Sequence, residues 1–170
     1  EYESLFKKLS EKHPNSVVQL GIQYRMNKEI MSISNELVYN HRLKCGSIEV
    51  EKQRLSLPTI SKIPSPSTKS NHWLLNVILA DHPVIFVNLD KVPALEINKE
   101  HTITNPVEAR MTAIIARGLI MAGVKATEIG VISPYKSQLQ IIRQYLSQFS
   151  RYNEVDVFTV DKYQGKDKEA

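Results

Sequence analysis

The sequence predicts an α/β fold with a mainly parallel sheet and helices on both faces. Short apolar runs alternate with helical patterns along most of the chain, and two of the helices have strong start signals at Asn27 and Asn105. Strands that alternate with helices are joined by crossover connections, which favour parallel pairing and place helices over both faces of the sheet.

Four apolar runs are predicted to be strands. They are residues 17–20, 84–89, 129–132 and 155–160. Short apolar runs bounded by polar residues are typical of buried strands. Three of these runs lead into polar loops, and the carboxyl ends of parallel strands share one edge of a sheet. We therefore expect the three loops to form one surface.

Three longer helices are predicted. Asn27 caps a helix that should reach about Tyr39, and Asn105-Pro106-Val107-Glu108 combines a cap, a proline and an acidic residue at the start of a second helix that ends at Gly123. The inner face of this second helix is predicted to carry Val107, Met111, Ile114, Ile115, Gly118 and Ala122. A third helix is predicted over residues 136–149, with Leu139, Ile142, Leu146 and Phe149 inward.

The periodic pattern is lost over residues 41–80, where Pro58, Pro64 and Pro66 lie among Ser and Thr residues. This composition predicts an irregular excursion or insertion within a single domain over residues 1–170, with a short helix near residues 71–80. The first residues lie inside a helical pattern and the last ones carry no cap, so we expect the chain to be part of a longer polypeptide.

The composition restricts the possible classes of function only slightly. The net charge of +4 and the pI of about 9.1 favour a polyanionic partner without requiring one. Cys45 is the single cysteine and the histidines are scattered, so we expect no metal bound by this chain. No apolar run approaches the roughly 20 residues that span a bilayer, and we expect an intracellular protein without a membrane partner.

Gln23, Tyr24 and Arg25 form the first polar loop. An arginine guanidinium is permanently charged and suits a phosphoryl transition state, and the tyrosine ring offers a face for a purine base. In the alternative, both residues have a purely structural role: Arg25 forms an ordinary ion pair and Tyr24 packs in the core. The residues alone favour that alternative.

The second polar loop is Ser133-Pro134-Tyr135-Lys136. A serine hydroxyl and a helix amino terminus can hold a phosphate, while Tyr135 could stack on a base and Lys136 could pair with the next phosphate. An ordinary strand-to-helix turn has the same appearance, and from the residues alone it is the favoured alternative.

The third polar loop follows the last predicted strand. Thr159 can donate its hydroxyl to a phosphate, Gln164 can reach a ligand, and Gly165 permits a positive φ. Asp161 can accept backbone N–H groups, and Asp167 can accept from ribose hydroxyls. The grouping of Gln, Gly and Asp favours a functional loop over a plain solvated turn.

Four segments then resemble, in order, the motifs of one family. Residues 20–26, 105–109, 129–138 and 157–167 are similar to motifs of the second RecA-like domain of superfamily 1 helicases, in the branch that includes the RNA-decay helicases and their DNA-processing relatives. Two further stretches, Lys44–Ser47 and Asn88–Ala94, resemble the eukaryotic replication helicase–nucleases, which trim flaps and resect broken ends.

The resemblance implies a role for each matching residue. Arg25 would be an arginine finger at the γ-phosphate of ATP and Tyr24 would lie near the nucleotide. Gln164 and Asp167 would border the ATP cleft, although Asp167 is one methylene shorter than the usual glutamate. Contacts to single-stranded DNA would come from Ser133, Pro134, Tyr135, Lys136 and Thr159.

The resemblance also implies partners and a compartment. The substrate would be ATP with Mg²⁺, whose ligands belong to the other RecA-like domain of the same polypeptide, and the enzyme would act in DNA replication and repair in the nucleus, with the mitochondrion as a second compartment. The sequence has no Gly-x-x-x-x-Gly-Lys-Ser/Thr phosphate loop, so these residues alone should not hydrolyse ATP. Two alternatives stay open: an RNA helicase of the same branch, and a non-catalytic nucleic-acid-binding module.

Overall fold

A computed structural model describes residues 3–63, 72–79, 81–99, 102–148, 152 and 154–168. The chain divides into two compact units, Glu1–Arg54 and Leu55–Ala170, which are called the N-terminal unit and the C-terminal unit below. Among the described residues, no helix has the length and apolar character needed to cross a membrane.

The N-terminal unit contains three helices and one pair of strands. Its elements are α1 (Leu5–Lys12), a 3₁₀ turn (Pro14–Ser16), β1 (Ile22–Gln23), α2 (Lys28–Leu37), β2 (Lys44–Cys45) and α3 (Ile48–Glu51). Strands β1 and β2 are parallel, with Ile22 opposite Lys44 and Gln23 opposite Cys45. The pair therefore places the segment that precedes α2 beside the segment that follows it.

Asn27 starts α2, as the sequence predicts. Its side-chain oxygen accepts a hydrogen bond from the Glu29 N–H at 2.7 Å, which satisfies one of the helix's unpaired donors. The amide nitrogen of the same buried side chain donates to the carbonyl oxygens of Glu51 and Gln53 at 3.1 and 2.7 Å. One residue therefore caps α2 and holds the end of α3 against it.

Asn35 fixes the return from α2 to β2. Its amide donates to the Leu43 carbonyl at 3.1 Å and accepts from the Leu43 N–H at 2.9 Å. Between them, Asn40 and His41 have positive φ values of 48° and 60°, the left-handed conformation that reverses the chain. The helix ends at Leu37, two residues before the predicted end.

One strand predicted for this unit does not form. Residues 17–20 form no strand: Leu20 is 83% exposed, and the strand begins at Ile22 instead. Residues 41–80 are not irregular throughout, because β2 and α3 lie among them. Both elements are too short to produce a visible period, and β2 begins with an exposed lysine rather than an apolar residue.

The C-terminal unit contains the longer helices. Its elements are a 3₁₀ turn (Ile60–Lys62), α4 (His72–Ile78), β3 (Ile97–Lys99), β4 (Thr102–Thr104), α5 (Pro106–Met121), a 3₁₀ turn (Ala126–Glu128), β5 (Gly130–Ile132), α6 (Lys136–Ser147), β6 (Asp156–Phe158) and α7 (Val160–Tyr163). Strands β5 and β6 are parallel and β3 and β4 are antiparallel. The short helix predicted near residues 71–80 is confirmed as α4, while residues 64–71 and 80 lie outside the described residues.

The core of this unit lies between α5, α6 and the parallel strands. Its buried members are Ala109, Ala113, Ala116, Val124, Ala126, Ile129, Val131, Leu139, Ile142, Leu146, Val155 and Val157. Burial of one leucine or isoleucine side chain stabilises the fold by roughly 1.5–3 kcal/mol. The inner face predicted for α6 is confirmed at Leu139, Ile142 and Leu146, which are all buried. The fourth predicted residue, Phe149, lies outside the described residues.

The inner face predicted for α5 is confirmed at Gly118 and Ala122, which are buried, but not at its four large side chains. The helix buries Ala109, Ala113 and Ala116 together with Gly118, whereas Met111 and its larger neighbours are only partly buried. Small side chains allow α5 to lie close to its neighbours: a Cβ at Gly118 would be 2.4 Å from the Ile78 Cδ1 atom of α4. Close approach, rather than bulk, decides which face is inside.

Both predicted ends of α5 are confirmed. The Asn105 side chain accepts from the Glu108 N–H at 3.1 Å, and Gly123 follows the helix with a φ of 107°. A distant residue also hydrogen-bonds the last carbonyl groups of the helix. Thr59 donates its N–H to the Ala122 carbonyl at 2.8 Å and its hydroxyl to the Met121 carbonyl at 2.7 Å.

Of the three strands predicted for this unit, two form and one does not. The runs at 129–132 and 155–160 contain β5 and β6, although Thr159 and Val160 begin α7 instead of extending the strand. The run at 84–89 forms no strand, and Phe86 is 89% exposed. The α/β class with mainly parallel pairing is confirmed, since two of the three described strand pairs are parallel.

Candidate functional site

Tyr24 and Arg25 lie on a tight turn directly after β1, and both are exposed. Tyr24 is 69% exposed, so the alternative that places it in the core is wrong. Its ring lies over Gly46, where an added Cβ would be 2.2 Å from the Tyr24 Cε1 atom. A glycine is therefore needed at this position for the ring to keep its place.

Gln23 holds the turn from inside. Its side-chain oxygen accepts hydrogen bonds from the N–H groups of Arg25 and Met26 at 2.8 and 2.7 Å, and its amide donates to the Met26 carbonyl at 2.7 Å. The sequence places Gln23 in the loop but does not reveal this contact, because the partner atoms belong to the backbone.

Ser133 lies at the end of β5 and is 8% exposed. Its hydroxyl accepts from the Tyr135 N–H at 3.3 Å, so the side chain also shapes the turn into α6. Pro134, Tyr135 and Lys136 follow on the surface. The three exposed residues are available to a ligand, whereas Ser133 is largely covered.

A surface cavity of about 310 Å³ lies beside this loop. Pro134 and Tyr135 form part of its wall, and the acidic residues Glu96 and Glu108 line it as well. Carboxylates repel phosphate groups, so this cavity suits the flat face of a base or a sugar better than a phosphate.

The loop after β6 carries the third predicted group. Thr159 is partly buried at the start of α7, while Gln164, Gly165 and Asp167 are exposed. Gly165 has a φ of 81°, the left-handed conformation that the sequence anticipates. The chain reverses at this glycine and returns toward β6.

Two lysines fasten the returning segment. Lys168 and Lys166 lie 2.8 and 3.3 Å from the Asp156 carboxylate, and the Lys166 ammonium also lies 4.3 Å from the centre of the Phe158 ring. The hydrogen bond from Lys168, together with that from Lys166, lowers the pKa of Asp156 below its ordinary value. Lys168 also donates to the carbonyl oxygen of Thr127. The sequence gives no sign of this anchor, because Asp156 lies ten or more residues away from the lysines.

The loops after β5 and β6 share one edge, as predicted. Ile132 lies opposite Phe158 in the parallel pair, and the Ser133 N–H donates to the Phe158 carbonyl at 3.3 Å. Ser133 and Thr159 therefore leave the sheet side by side. Tyr24 and Arg25 belong to the N-terminal unit, where they follow the carboxyl end of β1.

The sequence also gives no sign of a buried amide near this edge. Gln138, in the first turn of α6, accepts from the Asn105 N–H at 2.8 Å and donates to the Asn105 carbonyl at 3.0 Å. The Ser137 hydroxyl donates to the Ile103 carbonyl at 2.7 Å. The helix that follows the second loop is thus tied to the start of α5.

No group of three or more His, Cys, Asp or Glu side chains within the described ranges is arranged to hold a metal ion.

The chain belongs to an AAA domain family, whose model matches residues 2–170. This is a helicase-family domain, and the parallel strand pairs and helices described above are consistent with a small α/β fold of the RecA-like type. The chain is 44% identical over 171 residues to the Mus musculus protein named DNA replication ATP-dependent helicase/nuclease DNA2. It is 41% identical over 170 residues to the Xenopus tropicalis protein of that name, and 38% identical over 170 residues to the Saccharomyces cerevisiae one.

Each of these alignments covers 98% of the chain. The chain spans 16% of the length of the mouse and frog relatives and 11% of that of the yeast relative. The resemblance that the motifs indicate, to superfamily 1 helicases and to the eukaryotic replication helicase–nucleases, is confirmed.

Proposed function

We propose that this chain is the second RecA-like motor domain, residues 1–170, of an ATP-dependent helicase/nuclease that acts in DNA replication and repair. The identity of 38–44% across 98% of the chain with proteins of that name carries the proposal. The polypeptide would work in the nucleus, with the mitochondrion as a second compartment. Its other RecA-like domain would supply the opposite wall of the ATP cleft.

Arg25 is proposed to be an arginine finger. The phosphoryl transition state carries charge that a guanidinium neutralises, and such a residue raises turnover by about 10³–10⁵-fold. The exposure of Arg25 on a fixed turn after β1 supports this role. Tyr24 precedes it on the same turn, with an exposed ring suited to lie beside the nucleotide.

Gln164 and Asp167 are proposed to border the same ATP cleft. Both are exposed on the loop after β6, which Lys166 and Lys168 anchor to Asp156. Asp167 reaches less far than the glutamate usual in this family. We therefore assign it a contact to a ribose hydroxyl or to water rather than to the phosphates.

The single-strand track is proposed to run along the edge formed by the loops after β5 and β6. It consists of Ser133, Pro134, Tyr135, Lys136 and Thr159. Tyr135 can stack on a base and Lys136 can pair with a phosphate, while the adjacent cavity accepts uncharged groups. None of these contacts requires a particular base, which suits a motor that moves along any sequence.

The substrate is proposed to be ATP with Mg²⁺, held by the other RecA-like domain through its phosphate loop. The sequence of this chain contains no such loop, so the isolated 170 residues are expected to be inactive as an ATPase. Arg25, Tyr24, Gln164 and Asp167 would complete a site that the other domain begins.

The test uses the full-length polypeptide that carries this chain. Arg25→Ala should reduce single-strand-DNA-stimulated ATP turnover by at least about 100-fold, while the ATP dissociation constant changes by less than about threefold. Arg42→Ala, which removes an exposed arginine bonded to Gln19 in the same unit, should leave turnover unchanged. Normal turnover in Arg25→Ala would refute the assignment. Stronger stimulation by RNA than by DNA would favour the RNA-helicase alternative.

A further inference from the structure

We infer that Gln23 is a positioning residue that holds the Arg25 turn in its working conformation. The inference rests on the proposed role of Arg25. Gln23 does not reach toward the ligand itself; its side chain points into the turn and bonds the backbone on both sides of the arginine. Its effect on catalysis would therefore pass entirely through Arg25.

A single amide group closes the turn. The Oε1 atom accepts from the N–H of Arg25 at 2.8 Å and from that of Met26 at 2.7 Å, and Nε2 donates to the Met26 carbonyl at 2.7 Å. Both peptide planes that flank Arg25 are fixed by these bonds. The starting direction of the arginine side chain is thereby set before any nucleotide binds.

The Gln23 amide is also held by contacts with α2 and β2. Its Nε2 atom lies 3.3 Å from the Cys45 sulfur and 3.5 Å from the Met31 sulfur, so β2 and α2 both limit its movement. The backbone of Gln23 is paired with that of Cys45, and its carbonyl accepts from the Gly46 N–H at 2.8 Å. The turn is therefore connected to the strand pair and to α2 through one side chain.

Only an amide of this length fits the pattern. A glutamate can accept both N–H groups but, when ionised, presents a carboxylate to the Met26 carbonyl instead of a donor. A leucine or methionine can do neither, and an asparagine is one methylene too short to keep the same reach. A protonated glutamate, in contrast, regains one donor and one acceptor.

Positioning of this kind should affect turnover more than binding. An arginine finger acts on charge that develops in the transition state, and a displacement of about 1 Å can cost about 100-fold in rate. The ground-state complex with ATP depends less on this contact. The expected signature is a loss in kcat with little change in KM.

The experiment compares variants of the full-length protein. Gln23→Leu should lower single-strand-DNA-stimulated kcat by about 10–100-fold, with the KM for ATP within about threefold of the wild type. In an Arg25→Ala background, Gln23→Leu should cause no further loss, because the two residues act as one unit. Gln19→Leu, which changes an exposed glutamine of the same unit, should leave turnover unchanged.

Gln23→Glu provides a readout that simple destabilisation would not produce. Its kcat should fall less than that of Gln23→Leu, because the carboxylate keeps both accepting contacts to the turn and loses only the donor to the Met26 carbonyl. Melting curves confirm that each variant is folded.

The outcomes separate the two hypotheses. Normal turnover in Arg25→Ala refutes the proposed role of Arg25 as an arginine finger and with it this inference. Loss of turnover in Arg25→Ala, combined with wild-type kcat in a folded Gln23→Leu variant, overturns the positioning role alone. A further tenfold loss in the double variant also overturns it, because Gln23 would then act through some other group.

Discussion

Gln138 and Asn105 form a closed pair in which the side-chain amide of one residue bonds both backbone polar atoms of the other. The two N···O distances are 2.8 and 3.0 Å, and both residues are buried. The pair joins the first turn of α6 to the residue that caps α5. The end of the second polar loop, where α6 begins, is thereby held at a fixed place relative to α5, the longest described helix.

Gln138→Leu should loosen the start of α5. The substitution leaves the N–H of Asn105 buried without its partner, at a cost of about 1–3 kcal/mol, whereas the Asn105 carbonyl keeps the hydrogen bond from the Ala109 N–H. Hydrogen exchange of peptides that cover residues 102–110 should accelerate by at least about tenfold in the full-length protein. Gln140→Leu alters an exposed glutamine of the same helix and should leave this exchange unchanged. Equal rates in both variants would show that the pair contributes nothing to the cap.

Gly46→Ala should displace the Tyr24 ring. A Cβ atom would lie 2.2 Å from Tyr24 Cε1, a distance that the two groups cannot share, so the ring must rotate away. If Tyr24 lies beside the nucleotide, the KM for ATP should rise several-fold, by about as much as in Tyr24→Ala, while kcat at saturating ATP stays within about twofold. Steady-state kinetics of the two single variants and the double variant provide the measurement. An effect of Gly46→Ala that persists undiminished in the Tyr24→Ala background would contradict this explanation.

Acid should release the loop after β6. The lysines hold the pKa of Asp156 below its unfolded value of about 3.9, so the anchor is fully present above that value and is lost as the pH falls through the lower folded pKa. The protection factors of residues 160–168, taken relative to intrinsic exchange at each pH, should therefore fall below about pH 4 in the wild type. The individual ion pairs are partly exposed, and each is expected to contribute only about 0.2–1 kcal/mol.

The matched variant for this prediction is Asp156→Asn. It should show the faster exchange already at neutral pH, and its remaining acid dependence across residues 160–168 should be weaker than that of the wild type. Glu128→Gln removes a different partly exposed ion pair, with Lys125, and should leave this segment unchanged. Retention of wild-type protection in Asp156→Asn at neutral pH would refute the anchor.

The sequence predicts the helix termini well because their signals are local. Asn27 and Asn105 bond N–H groups two or three residues further on, and the positive φ of Gly123 lies beside the helix that it ends. Strand formation depends on a partner that may lie anywhere in the chain. The apolar run at 84–89 has none among the described residues, whereas Ile22–Gln23 pairs although it is only two residues long.

The inner face of α5 shows a second limit. Hydrophobic periodicity favours the large side chains such as Met111, yet the helix buries its alanines. The deciding quantity is the distance to α4 and α6, which only the folded chain reveals. Small residues on a helix are as consistent with an outer face as with a close contact.

The candidate site shows the same difference between local signals, which the sequence reveals, and contacts between distant residues, which it does not. The sequence identifies Arg25, Tyr135 and Gln164 as exposed polar or aromatic residues after strands, and the structure places all three on the surface. It does not identify the residues that hold them. Gln23 bonds backbone atoms, and Lys168 pairs with a carboxylate twelve positions earlier. Such contacts follow from three-dimensional proximity and leave no spacing pattern.

The double closure of α5 has a consequence for how the chain is made. Its carboxyl end bonds Thr59, which is synthesised long before the helix, but its amino end bonds Gln138, which is synthesised after it. Once residues 105–122 have left the ribosomal tunnel, the carboxyl end of α5 can bond Thr59 while its amino end still lacks the bonds from Gln138. We expect α5 to become protected from exchange on the ribosome only after α6 has begun to emerge, so that the two helices mature together.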